Sequence, residues 1–204
     1  MILGAIYLFI LSLIFAFLEI EIEGKFGWAE KLPTWYKKSG LGKIFFSITK
    51  KPLTGYHLFM LSFILLILHF IFFTGISWSL SKELEILAYF TLIMLVEDFL
   101  WFIFNPNYGL KNFKRDKIWW HNNSKWILNL FPLDYLLGIV IIILLFLASA
   151  LINQNINIFY NNLLSLAIIG LLVFLSSSTL VKPYRKWYNH IRKNDDRKAI
   201  EIFR

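Results

Sequence analysis

Glu97 and Asp98 stand side by side inside a run otherwise suited to lipid, Leu84 to Phe104. Counted back from Asn105 at about 1.5 Å per residue, the pair lies roughly 10 Å inside the end of that run. A single carboxylate at the bilayer centre costs about 3 kcal/mol even on the mildest scale. Two neighbours therefore demand a cation, a polar partner or a water-filled cavity, and they mark the first candidate site.

Two chemistries suit such a pair. Carboxylates joined by one or two imidazoles are ligands for Zn²⁺, Mn²⁺ or Fe²⁺, and all-oxygen ligation suits Mg²⁺. The candidate ligand set for a divalent metal is His57, Glu97, Asp98 and His121, with Glu19 and Glu23 in reserve. The same groups also support metal-free general acid–base chemistry, with Glu97, Asp98 and His121 as the catalytic residues. The ligands are scattered, and no His-Glu-x-x-His or Glu-x-x-His pair is present. No Glu-Glu-x-x-x-Arg, Asp-Gly-x-x-Ala-Arg or Gly-x-Ser-x-Gly run occurs either, and the absence of cysteine removes thiolate sites and disulfides. With no Lys or Arg in the apolar runs at that depth, no internal ion pair is expected for Glu97 and Asp98.

Five apolar segments must carry these groups, about 2–20, 55–78, 84–104, 133–152 and 158–181. Each has roughly the 20 mostly apolar residues that a bilayer core requires. Backbone polar groups in lipid must be satisfied within the segment, so the segments read as helices despite many β-branched residues. The chain has 204 residues, is 58% hydrophobic and has a mean hydropathy of +0.61. A soluble fold of that length cannot hide so much apolar surface. The expected class is an all-α integral membrane protein, a five-transmembrane-helix bundle with long ordered inner loops, in the plasma membrane of a microbe. The start, Met1-Ile-Leu-Gly-Ala, lacks a basic region and reads as a retained first helix.

Charge sets the orientation. The chain has 21 Lys and Arg, and all but Lys82 fall in alternate connections or after residue 181. Positive charge stays cytoplasmic, which puts the N-terminus outside and the C-terminus inside. The net charge of +8 is thereby accounted for without nucleic acid, and membrane lipids are the expected partners. The basic, partly aromatic tail, 182–204, reads as a helical extension lying on anionic lipid.

With that orientation, the ionisable groups collect at the inner end. Glu19 and Glu23 are one turn apart on the stripe of Ala5, Ser12 and Ala16, while Glu21 points elsewhere. His57 opens the second segment, Asp134 opens the fourth, and Met94, Glu97, Asp98, Trp101 and Asn105 share one side of the third. Plainer roles compete for several: Asp134 as a helix-dipole partner, Glu19 and Glu23 as partners of loop lysines, His69 as a donor to a neighbouring helix, and His190 as a surface residue. An amphiphilic substrate would place an anionic headgroup against Lys111, Lys114, Arg115 and Lys117, with Trp101 and Asn105 at the boundary, and its tails between helices. The sequence thus favours a lipid- or isoprenoid-modifying membrane enzyme. A channel or proton-coupled carrier using Glu97 and Asp98, or a membrane scaffold subunit, are the alternatives.

Overall fold

The computed structural model describes residues 2–118, 120, 125–128 and 130–195. Five helices are long and apolar enough to cross a membrane: α1 (Ile2–Glu23), α3 (Gly55–His69, continued by a 3₁₀ turn, Phe70–Thr74), α4 (Leu80–Phe104), α5 (Leu133–Ile152) and α6 (Ile156–Thr179). Two shorter helices complete the order, α2 (Leu41–Thr49) within the first long connection and α7 (Val181–Lys193) after α6. Two small antiparallel ladders tie the connections down: β1 (Tyr36–Lys37) with β2 (Leu53–Thr54), and β3 (Trp126–Ile127) with β4 (Phe131–Pro132).

Helix ends follow local chemistry. Thr54 caps α3 by accepting from the His57 amide, Ser79 caps α4 by accepting from Lys82, and Asn155 caps α6 by accepting from Asn157. Pro132 precedes α5, and Asp134 lies in its first turn, where the helix dipole favours an anion. The Ser79 cap starts α4 four residues ahead of the expected boundary, drawing Ser81, Lys82 and Glu83 into the helix. Gly75, at φ 101°, ends the 3₁₀ turn after α3 before residue 78. α1 runs to Glu23 rather than 20, so all three of its acids are helical.

α4 is the hub. It packs chiefly against α5 and α1, and 56% of its most apolar stretch is buried, against 11% for α3 and 17% for α6. The small residues Ala5, Ser12 and Ala16 are buried on α1, which permits close approach of α4. One apolar cluster fills the middle of the bundle, including Phe15, Ile64, Leu68, Leu92, Ile93, Ile142 and Phe146. A second, rich in aromatic rings, closes the end where α1 and α4 stop, with Trp101, Phe102, Phe104, Phe113 and Trp120.

That second end gathers every long connection. Asn105 Nδ2 donates to the Gly24 carbonyl at 2.7 Å, Tyr108 donates to the Lys25 carbonyl, and Trp28 Nε1 donates to the Pro52 carbonyl at 2.9 Å. Gly27 lies flat against the Trp120 ring, where a Cβ would collide, so the close approach requires glycine. From α7, Arg185 donates to the carbonyls of Ile103 at 2.6 Å and Asn105 at 2.8 Å, the open C-terminal acceptors of α4. Arg192 pairs with Glu21 at 2.7 Å, which confirms that Glu21 faces away from Glu19 and Glu23.

Candidate functional site

Packing α1 against α4 brings Glu19 and Glu97 face to face. Both are buried, with 7% and 5% exposure, and their carboxyls are neighbours across the α1–α4 seam. Each keeps one oxygen, Oε1, with no partner among the described residues. The Trp101 indole N–H, one turn along α4, and the Tyr56 hydroxyl, beside Glu19 on α3, are also buried without a partner. Unsatisfied buried polar atoms are uncommon in native folds and cost on the order of 1–3 kcal/mol each, so this cluster is the strongest candidate for a site.

The adjacent groups are already engaged. Asp98 turns toward α5, where the Tyr135 hydroxyl donates to its Oδ2. Glu23 Oε1 accepts from the Ala29 amide at 2.5 Å. Trp28 and Ala29 both have positive φ, so Glu23 holds a strained turn in place. The Tyr36 hydroxyl donates to the Ala29 carbonyl from the other side. His57 Nδ1 meets Thr54 Oγ1 at 2.7 Å, its ring stacks on Trp28 at 4.0 Å, and its Nε2 stands 4.0 Å from Glu23 Oε1. His57 and Glu23 therefore brace the loop against the helix ends.

A cation does reach this depth, contrary to the expectation from the apolar runs. Lys51, three residues before the α3 cap, is only 8% exposed, and its Nζ lies 4.4 Å over the Trp28 ring. Burial draws its ammonium below the ordinary lysine range, while the charges of Asp98, Asp134, Glu97 and Glu19 pull the other way. It comes from the connection rather than from a spanning helix, with its ammonium held over the Trp28 ring. The signal was present as Lys50-Lys51-Pro52, just ahead of a helix start level with Glu19. Tyr56 and Tyr135 were missed too, since a tyrosine at the head of an apolar helix looks like an interfacial anchor.

Among the described residues, no group of three or more His, Asp or Glu side chains stands at ligating distance. Glu23 and His57 already have partners, and Lys51 supplies positive charge to the acids. His121, proposed both as a ligand and as a catalytic residue, lies outside the described residues.

Among the headgroup candidates, Asn105 is fully buried, and its Oδ1 accepts from the Asn107 amide at 3.0 Å while its Nδ2 holds Gly24. It fastens the loop and cannot reach a headgroup. Trp101 is buried within an aromatic box with Tyr108 and Trp120, its N–H open toward the site. Lys111, Lys114, Arg115 and Lys117 are exposed along the connection after α4.

Beside the acids, a groove of about 500 Å³ runs between α1 and α3, walled by Phe15, Leu18, Tyr56, Phe59 and Phe63 and roofed by Pro33 and Trp35. Its outer rim is exposed, with Phe59 at 71% and Phe63 at 58%, so it opens sideways from the bundle. Tyr56 lines this groove and also stands beside Glu19, while neither Glu19 nor Glu97 is part of the groove wall. No family model, curated protein or solved structure matches this chain.

Proposed function

We propose that this chain is an integral-membrane enzyme performing general acid–base chemistry on a lipid- or isoprenoid-type amphiphile at the cytoplasmic leaflet. The observation that carries the reading is the neighbouring, buried Glu19 and Glu97, with Tyr56, a wall residue of the apolar groove, beside Glu19. The distribution of basic residues supports an orientation with the N-terminus outside and the connections and α7 in the cytoplasm.

In this reading the substrate's tail lies in the α1–α3 groove and its polar end passes Tyr56. Of the paired carboxyls, the protonated one donates to the reacting oxygen or carbon centre and the ionised one removes a proton. Such positioned proton transfer contributes roughly 10²- to 10⁴-fold. Lys51 balances negative charge that develops on the headgroup, and the Trp101 indole is aimed to donate to it. Tyr135 keeps Asp98 fixed at the edge of the pocket. The aromatic roof of Trp35, Trp101 and Trp120 keeps bulk water away, which strengthens each of these interactions. A divalent metal would have to displace Lys51 and recruit a donor beyond the described residues, such as His121. Elemental analysis of the purified protein beside Glu97→Gln tests that variant of the reading.

A proton-coupled carrier needs a polar route to the other face, and the Phe15, Ile64, Ile93 and Ile142 layer interrupts it. A scaffold reading needs a partner's basic group to answer the acids, and Lys51 answers them from within the chain.

The decisive experiment compares the lipids of cells expressing the wild type with those of cells expressing Glu97→Gln at equal abundance, by mass spectrometry. Lipid or isoprenoid species that change with the wild type alone support the proposal. Identical lipid profiles, together with proton flux in liposomes that Glu97→Gln abolishes, would replace the enzyme with a carrier.

A further inference from the structure

A second cavity, of about 490 Å³, lies at the opposite end of the bundle, walled by Gly4 and Leu8 of α1, Leu68 and Ile71 of the α3 strand of chain, Tyr89 of α4 and Asn162 of α6. Its volume is within the range of small-molecule sites. Its lining is apolar apart from Tyr7 and a short polar strip of Tyr89, Asn161, Asn162 and Ser165, and no charged side chain is found in it among the described residues.

Asn162 is 5% exposed. Its Oδ1 accepts from the Tyr89 hydroxyl at 2.6 Å, and its Nδ2 has no partner. Reversing the amide would leave the oxygen unpartnered instead, so this carboxamide stays half-satisfied in either orientation. Ser165 does not relieve it: its hydroxyl donates to the Asn161 carbonyl at 3.1 Å, and its oxygen accepts nothing from Nδ2. A buried amide donor without an acceptor is costly in an apolar setting, and here it borders an open cavity. An uncharged wall rejects ions, because an ionised headgroup would be desolvated without compensation.

We infer that this cavity binds an uncharged amphiphile, whose carbonyl oxygen accepts a hydrogen bond from Asn162 Nδ2 and whose apolar body fills the space between α1 and α3. Two sources share that chemistry: the ester carbonyl of a neutral glycerolipid and the ring carbonyl of a quinone. The site is independent of the proposed catalytic pair, since Tyr89 and Glu97 are eight residues apart on α4, about 12 Å.

The test uses the full chain in nanodiscs and a monoacylglycerol carrying a diazirine, with crosslinks mapped by peptide mass spectrometry. Saturable labelling of segments 4–8, 67–71 or 161–165 is expected. Unlabelled monoacylglycerol and decylubiquinone compete, and whichever displaces the probe at lower concentration identifies the source. Decane and decanoate do not compete at the same concentrations. Asn162→Leu weakens binding about fivefold to tenfold, the value of one hydrogen bond. Gly4→Phe abolishes labelling by filling the cavity, and it should fold normally because a Cβ at Gly4 meets nothing within 4 Å. Glu97→Gln leaves labelling unchanged, which separates this site from the acid–base reading. Labelling that does not saturate, that decane displaces equally well, or that persists in both Asn162→Leu and Gly4→Phe would overturn the inference.

Discussion

Both ends of the bundle bury polar side chains between helices, and they satisfy them differently. At the end where α3 passes to α4, Ser81 and Ser149 hydroxyls meet at 2.8 Å, Ser149 donates to Glu85 at 3.1 Å, and Lys82 pairs with Glu85 at 3.1 Å. His69 Nε2 meets Glu83 at 3.0 Å, and Trp78 donates to the same carboxylate. Donors and acceptors there balance within the α4–α5 seam, as expected of polar groups that hold helices together in lipid. At the opposite end, Glu19, Glu97, Trp101 and Tyr56 each retain an unpartnered polar atom around one lysine. The contrast separates polar groups that find partners in the α4–α5 seam, several of them half-exposed, from more deeply buried groups that keep an unpartnered atom.

The sharpest way to break this comparison is to neutralise one acid at each end. Glu97→Gln should lower turnover by at least about 100-fold with the fold intact, because it removes a proton donor and acceptor while preserving shape. Glu85→Gln should leave turnover unchanged. Equal losses in product formation would erase the distinction. Lys51→Met should change stability in detergent unfolding by less than about 1 kcal/mol near neutral pH, because the attraction of the acids is offset by the cost of burying the ammonium. A loss of several kcal/mol would mean that the acids depend on a close ion pair with Lys51.

Tyr135→Phe leaves Asp98 without the Tyr135 hydroxyl and should cost about 2 kcal/mol, as for a hydrogen bond to a charged group. At the balanced end, Ser149→Ala should cost only about 0.6 kcal/mol, the typical value for an interhelical hydrogen bond in a membrane, with no effect on turnover. The smallest effect is a pH dependence. Because burial lowers the Lys51 value below that of the unfolded chain, the unfolded state binds the proton more readily in the alkaline window beneath the ordinary lysine value of 10.5. Stability contributed by Lys51 therefore rises as pH increases through that window. The difference in unfolding free energy between wild type and Lys51→Met should shift in favour of the wild type there, and a flat difference would remove Lys51 from the buried cluster.

Much of the candidate site was legible because one-dimensional patterns carry it. Glu19 and Glu23 recur at helical spacing on a small-residue stripe, and Glu97 interrupts an apolar run, so their convergence at one level follows from helix length and charge placement. His57 was placed at the right level but read as a ligand, whereas its contacts with Thr54 and Trp28 brace a loop. That role depends on the path of residues 24–36, which no periodicity describes. Asn105 was misjudged for the same reason: its partner, Gly24, is 81 residues away.

Sequence alone determined the five apolar helices and the segregation of basic residues, because the bilayer imposes length and backbone satisfaction on each segment separately. Only the tertiary structure decided that Lys51 is buried over Trp28, that Tyr135 takes Asp98, and that Tyr56 lines an apolar groove beside Glu19. Those outcomes depend on how connections fold back over helix ends, where long-range packing rather than local period selects the partner.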